Sequence, residues 1–254
     1  CKKKKIKCFS TAVTEDYVDF LSKETEVIKI ASGDSTFKPL LNKIAKSKAK
    51  IILSTGGTTI NEILNSIKYI KKISRINIKK RLILLHCVSA YPVPLDEVGL
   101  HSIKYLEKKT KLNIGYSNHT KNPFVAAMAL SLGAKVIEVH FTDNKNNKSI
   151  RDHALSFDYN DLRNLVEYRN KMKKILGQRN KMVQKSEKKN ISIIRKGIIA
   201  SKIIKKFKII KENDLQFARP ANNFSYDEVY KLIGKKIKVR KNKGEIIKKK
   251  EIFN

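Results

Sequence analysis

"GYSNHTKNPFVAAMALSLGAKVIEVHFTD", residues 115–143, decides the fold. Two short apolar runs, "LNIGYS" (112–117) and "KVIEVHF" (135–141), flank one helix-sized segment near 121–132. Strand, helix and strand at this spacing make a parallel pair joined by a crossover helix. His119 and His140 stand at the ends of the two runs, in a chain with five histidines.

The same unit repeats upstream. "KIKCFST" (5–11), "EVIKIAS" (26–32), "KIILST" (50–55) and "RLILLHC" (81–87) are further short runs, most of them rich in Ile, Leu or Val. Such runs suit parallel strands buried on both faces. Amphipathic segments near 14–23, 37–47, 59–73 and 97–109 lie between them, and a last helix is expected over 158–175. Alternation of this kind means a parallel sheet covered by helices. Small polar groups cluster just after the strands: "ST" at 10–11, "SGD" at 32–34, "STGG" at 54–57, "SAYP" at 89–92, "SNHT" at 117–120 and "TD" at 142–143. The C-terminal ends of the strands form the active-site face of an α/β barrel. A full barrel has eight strands in roughly 250 residues. This stretch supplies six in 176 residues, and the start at Cys1 without an initiator Met leads us to expect the other two on the N-terminal side.

The pattern changes near residue 177. "GQRNKMVQKSEKKN" (177–190) is a polar linker, and residues 191–254 are a second unit with strand candidates "ISIIRKGIIAS", "KIIKEND", "KKIKVRKN" and "EIIKKKEIF". "NKGE" (242–245) marks a turn.

Composition narrows the function classes. No apolar run reaches the ~18 residues of a membrane span, and "CKKKKIKCFST" lacks the apolar core of a signal peptide. Cys1, Cys8 and Cys87 are an odd count without CxxC spacing, which argues against a disulfide framework or a zinc site. Cys8 and Cys87 lie in apolar runs and are expected as buried free thiols, in keeping with a reducing cytoplasm. The net charge of +33 invites a nucleic-acid reading. The lysines are spread over nearly every segment, however, and the chain has no Trp to stack on bases. A lysine-coated enzyme for anionic substrates is the stronger reading.

"KIASGD", "IILSTGGTT", "LLHCVSAYPVP", "GYSNHT", "LGAKVIEVHFT" and "RDHALSFD" resemble, in order, the strand-end motifs of the sialic acid synthase family. The resemblance implies an α/β fold: a partial TIM (β/α)8 barrel over 1–176, a linker over 177–190, and a small β-rich SAF (antifreeze-like, β-clip) domain over 191–254. It implies metal-dependent condensation of phosphoenolpyruvate with an N-acylated hexosamine, N-acetylmannosamine in the sialic acid enzymes. The products are a nine-carbon 2-keto sugar acid and phosphate. Pseudaminic or legionaminic acid synthesis, with a diacetamido sugar, is the alternative within the class. An inactive SAF-bearing scaffold is the alternative outside it.

Residue by residue, the resemblance assigns the metal to His119 and His140, with manganese first and magnesium or cobalt as alternatives. Neutral imidazole on adjacent strand ends suits a first-row divalent ion. Asp152 matches an acid that orients or deprotonates the attacking water, and Tyr91 a tyrosine beside the metal. Thr11, Lys29, Ser32, Ser54 and Ser117 match the phosphate-binding positions. A strand lysine such as Lys29 is costly to bury without an anionic partner. Asp34, where the family often has Glu, and Ser89, where well-known members carry Asn, match sugar contacts. Asn118 stands where Asp is usual, and His86, in "LLHC", is expected in the core. In "FARPANNFS", Arg219 matches an arginine that reaches the sugar site of the other protomer in a domain-swapped homodimer, with Asn222 and Asn223 suited to its turn.

Overall fold

The computed structural model describes residues 1–146, 151–178, 180–220 and 223–253. It divides into two compact units, Cys1–Gly177 and Gln178–Asn254.

The first unit runs β1 (Ser10–Thr11), α1 (Glu15–Glu24), β2 (Val27–Ile30), α2 (Lys38–Lys46), β3 (Lys50–Ser54), α3 (Ile60–Ile73), the single turn α4 (Ile78–Arg81), β4 (Leu82–His86), α5 (His101–Thr110), β5 (Asn113–Asn118), α6 (Phe124–Ser131), β6 (Ile137–Val139) and α7 (Tyr159–Leu176). The six strands form one sheet in sequence order, and every pairing is parallel. Sequential parallel neighbours with a helix in each crossover are the wall of a β/α barrel.

The sheet is curled. Lys29 on β2 and Glu138 on β6 meet at 2.7 Å although three strands lie between them. In a flat sheet, four strand spacings would hold them ~19 Å apart. The six strands thus form a half-barrel, a partial TIM barrel. In-register residues share a face, so Thr11, Lys29 and Ile52 line the concave side, and Ser54, Leu85 and Gly115 form the layer above. A Cβ on Gly115 would fall 2.5 Å from Leu85 Cδ2 and 2.6 Å from Val136 O, so only glycine fits there. The alternate residues, including Ile28, Ile30, Ile51, Leu53, Leu84 and Ile114, pack outward against Leu40, Leu41, Ile44, Ile70 and Ile103 of the helices. Capping boxes fix the starts of α3 (Thr59 with Glu62) and α7 (Asp158 with Asp161).

β1 and β6 are edges, and exposed apolar side chains flank both. Ile6, Phe9, Val13, Tyr17 and Phe20 lie around β1 and α1, and Phe141 and Tyr159 follow β6. The strand expected over 5–11 is reduced to Ser10–Thr11, and Cys8 is exposed rather than buried. With a neighbour on one side only, the lysine-rich segment has nothing to pack its Ile and Cys against. Cys87 is buried as expected.

The second unit has its own core of Ile198, Ala200, Ile204, Ile210, Leu215, Phe224, Leu232, Ile237, Ile247 and Ile252. β7 (Gly197–Ala200) and β8 (Leu215–Ala218) pair antiparallel. The strands expected across 208–214, 235–242 and 245–253 shrink to isolated bridges at Ile209–Lys236, Ile204–Lys241, Ile199–Ile246 and Ile237–Ile252. The first four residues of the expected strand 191–201 are a helical turn, Ile191–Ile194. "NKGE" does turn: Glu245 N–H donates to Asn242 O at 3.2 Å, and Gly244 takes a left-handed φ of +86°. No described helix is long and apolar enough to cross a membrane.

Candidate active site

The C-terminal ends of β2, β5 and β6 carry a connected polar chain. Lys29 Nζ pairs with Glu138 Oε1 at 2.7 Å, and Ser117 Oγ donates to Glu138 Oε2 at 2.6 Å. Ser117 Oγ also lies 3.2 Å from His119 Nε2. The His119 and His140 rings stand 5.5 Å apart, centroid to centroid, and Tyr91 lies 4.3 Å from the first and 5.9 Å from the second. His140 Nδ1 is 3.4 Å from Asp152 Oδ2.

Local backbone ties hold these groups. Val93 N–H donates to His119 O at 3.0 Å and fastens the loop bearing Tyr91 to the end of β5. Phe157 N–H donates to His140 O at 2.8 Å, which brings the Asp152 turn beside β6. Thr142 Oγ1 meets His153 Nδ1 at 2.6 Å, so His153 orders this loop.

Around Gly56 a second group converges. Ser32 Oγ accepts from Gly56 N–H at 3.1 Å and lies 3.4 Å from Cys87 Sγ. A Cβ on Gly56 would fall 2.3 Å from Ser89 Oγ, so the missing side chain leaves room for Ser89. Ser54 Oγ is the one buried side-chain N or O atom without a hydrogen-bond partner among the described residues. Buried hydroxyls are nearly always satisfied, so this one is suited to a ligand.

The structure thus gathers Lys29, Tyr91, Ser117, His119, His140 and Asp152 at one mouth, with Thr11 in register beside Lys29. Ser32 and Ser89 meet at Gly56, and Asp34 ends the turn that Ser32 begins. Arg219 belongs to the second unit, where it is exposed, with its Nε donating to Ile194 O at 2.5 Å. Asn222 lies outside the described residues. His86 faces the helices, with Nε2 2.8 Å from Val98 O.

Sequence reasoning passed over Glu138, which joins Lys29 to Ser117. Its signal was strand alternation: Glu138 and His140 are two apart in "IEVH", hence on one face. Its neighbours in an apolar run hid it.

The electrostatics favour a neutral His119. Burial pushes its imidazole below the ordinary value, against the Val88 carbonyl that favours the charged form. A carbonyl only accepts, so the 2.8 Å contact between His119 Nδ1 and Val88 O places the proton on Nδ1. Nε2 then carries a lone pair. The single proton of Ser117 goes to Glu138, so that lone pair receives no donor. Such a nitrogen, with a second imidazole beside it, fits a divalent metal ion. No group of three or more His, Cys, Asp and Glu side chains that could hold a metal ion is found among the described residues. Burial pushes the Tyr91 phenol upward, and the neighbouring Asp152 and Glu138 carboxylates add to it.

A barrel wall with acid, imidazole and lysine gathered at its C-terminal mouth defines a β/α-barrel protein with an enzyme-like polar site. Comparison with known proteins narrows the class: residues 1–181 match the model of the NeuB family, and the chain belongs to that family. It is 40% identical over 237 residues to the N,N'-diacetyllegionaminic acid synthase of Campylobacter jejuni, covering 92% of this chain and 70% of the relative. The solved N-acetylneuraminic acid (sialic acid) synthetase of Leptospira borgpetersenii superposes with a TM-score of 0.68 at 34% identity, over 75% of this chain and 65% of that one. A spore coat polysaccharide biosynthesis protein E of Chromobacterium violaceum shares the fold, with a TM-score of 0.79 at 24% identity, over 100% of this chain and 75% of that one.

Proposed function

We propose that the chain carries the larger part of a synthase site that condenses phosphoenolpyruvate with an N-acylated hexosamine to a nine-carbon 2-keto sugar acid and phosphate. The observation that carries this reading is the polar chain Lys29–Glu138–Ser117–His119, ending beside His140 and Asp152 at one mouth. The 40% identity to a diacetyllegionaminic acid synthase favours a diacetamido hexose over N-acetylmannosamine as the acceptor.

Lys29, Thr11, Ser32, Ser54 and Ser117 would hold the phosphate. Lysine supplies the charge, and the Thr11, Ser32 and Ser54 hydroxyls supply short donors; Ser117 would join them by turning its proton from Glu138 to the phosphate. His119 and His140 would hold a divalent ion, manganese first, which when bound polarises the acceptor's aldehyde oxygen. The enol π pair of phosphoenolpyruvate forms the new bond from C3 to the aldehyde carbon and leaves C2 cationic, while the aldehyde oxygen takes a proton from water. Water then adds at C2 while Asp152 accepts one proton; the bond from C2 to the phosphate oxygen breaks, the new C2 hydroxyl becomes the keto oxygen, and its proton leaves with the phosphate. Asp34 and Ser89 lie on the loops that would face the sugar.

The two sheet edges, each flanked by exposed apolar residues, suit closure of the barrel by two further strand–helix units. Residues 191–254 would be the SAF domain, and Arg219 would serve the sugar site of a second protomer. A cytoplasmic setting suits these soluble metabolites.

The test is Lys29→Met in the closed enzyme, with phosphate release measured as a function of each substrate. The reading expects the KM for phosphoenolpyruvate to rise at least tenfold, the equivalent of one charge-assisted bond of about 1.5–3 kcal/mol, with the sugar KM little changed. An unchanged KM for phosphoenolpyruvate overturns it.

A further inference from the structure

Cys87 is a buried thiol that none of the chemistry above uses, whereas Cys1 and Cys8 are exposed. Its sulfur lies within hydrogen-bond distance of Ser32 Oγ, at 3.4 Å. A serine hydroxyl has two lone pairs and one proton. Gly56 N–H, at 3.1 Å, occupies one lone pair of Ser32. If the thiol donates, it occupies the other, and the Ser32 proton is left for an acceptor outside the protein. Two donors feeding one oxygen also polarise its O–H and strengthen it as a donor.

Gly56 makes this convergence possible. A Cβ there would fall 3.0 Å from Ser32 Oγ and 3.3 Å from Cys87 Sγ. An independent sign of a ligand lies on the adjoining strand end, where Ser54 Oγ is buried, in a residue 3% exposed, with no partner. A hydroxyl so filled would act as a donor only and, with the unpartnered Ser54 on the adjoining strand end, would suit an acceptor-rich group such as phosphate.

We propose that Cys87 is a positioning residue: its S–H fills the second lone pair of Ser32 Oγ, so that Ser32 can offer only its proton to the phosphate of phosphoenolpyruvate. The proposal rests on the phosphate-site reading above and assigns a role to a residue outside it.

The experiment titrates the 254-residue chain with phosphoenolpyruvate, and separately with inorganic phosphate, followed by phosphorus NMR. The proteins compared are wild type, Cys87→Ser, Cys87→Ala, Cys87→Val, Ser32→Ala and the Ser32→Ala/Cys87→Ala pair, each with a thermal melt. Losing one neutral hydrogen bond should weaken binding about 2- to 10-fold in Cys87→Ala and Cys87→Val. Cys87→Ser keeps an O–H donor and should stay within about twofold of wild type. Val fills the space of the thiol, so its loss of binding separates donation from packing. In the Ser32→Ala background, Cys87→Ala should cost nothing more, because the oxygen it acts through is gone. Full affinity in Cys87→Val, or an additive loss in the pair, overturns the role of Cys87 and leaves the phosphate site standing. No binding by wild type, with a normal melt, overturns the phosphate site and the proposal together.

Discussion

Replacing Arg81 with methionine should cost the first unit about 2–6 kcal/mol. Arg81 is 2% exposed and pairs with no carboxylate among the described residues. All five of its N–H groups donate: Nε to Ala49 O at 2.6 Å, Nη1 to Ala45 O and Ser74 Oγ at 2.7 Å each, and Nη2 to Ile44 O at 2.6 Å and Ser47 Oγ at 3.1 Å. Ala45 and Ile44 lie in the last turn of α2, so the cation also answers the negative end of that helix. Burial pushes the guanidinium below its ordinary value, yet it stays charged because that value is so high. Methionine leaves Ala45 O and Ala49 O without this donor, while Ile44 O keeps its bonds from Ser47. Two stranded carbonyls at about 1–3 kcal/mol each give the range. At ~2–4 °C per kcal/mol for a unit of this size, the melt followed by circular dichroism should fall by roughly 4–24 °C. Arg81→Lys should not rescue it, since an ammonium has three donors and no fork. The opposing effect is relief of burying a charge. A methionine variant as stable as wild type would show that desolvation outweighs five bonds and that the reasoning is wrong.

Three further outcomes follow from the site. Burial holds His119 and His86 below their ordinary imidazole value. The unfolded chain therefore binds more protons, and their contribution is present above about pH 6.5 and lost as pH falls toward the folded values. The melt should drop between pH 7.5 and 5.5, less so in His119→Gln; an unchanged pH dependence in that variant removes His119 from the account. Gly56→Ala should abolish phosphoenolpyruvate binding in the same titration with the helical signal retained, because its Cβ would lie 2.3 Å from Ser89 Oγ and 3.0 Å from Ser32 Oγ. If the second unit serves a partner's barrel, mixing Arg219→Ala with His119→Ala in the closed enzyme should recover activity; none, despite proven subunit exchange, rules out the exchange.

Much of the sheet was legible because each apolar run of four to six residues can satisfy its backbone only by pairing on both sides, and the helices between leave only parallel pairing. The errors fall where that condition fails. At 5–11 the strand pairs with β2 alone among the described residues, so the run "KIKCF" stays exposed and the pairing is limited to Ser10–Thr11. In the second unit, "KKIKVRKN" alternates as a strand should, but it reaches the small core there through single bridges, Ile209–Lys236, Ile204–Lys241 and Ile237–Ile252. Strand-end motifs pointed to His119, His140 and Ser117. They could not show that Glu138 reaches across the sheet to Lys29, because that contact depends on curvature rather than on spacing.

The cations make the same point. Among 56 Lys and Arg residues, composition ranks none above another. Burial does: among the described residues Arg81 and Lys241 are buried, and Lys29 is mostly so, with 20% of its side chain exposed. Each has solved desolvation differently. Arg81 uses carbonyls and hydroxyls, and Lys241 pairs with Glu251 at 2.8 Å, where both side chains are nearly enclosed. Arg81 has every donor committed to the fold, and Lys241 grips both oxygens of one enclosed carboxylate. Lys29 sits at the open mouth of the half-barrel, beside hydroxyls of which one, Ser54, has no partner. An ammonium keeps three donors, and its contact with Glu138 Oε1 can be shared with an incoming anion. The general positive charge draws anions toward the whole surface; at Lys29 the fold leaves a mostly buried cation at the strand ends, able to keep one.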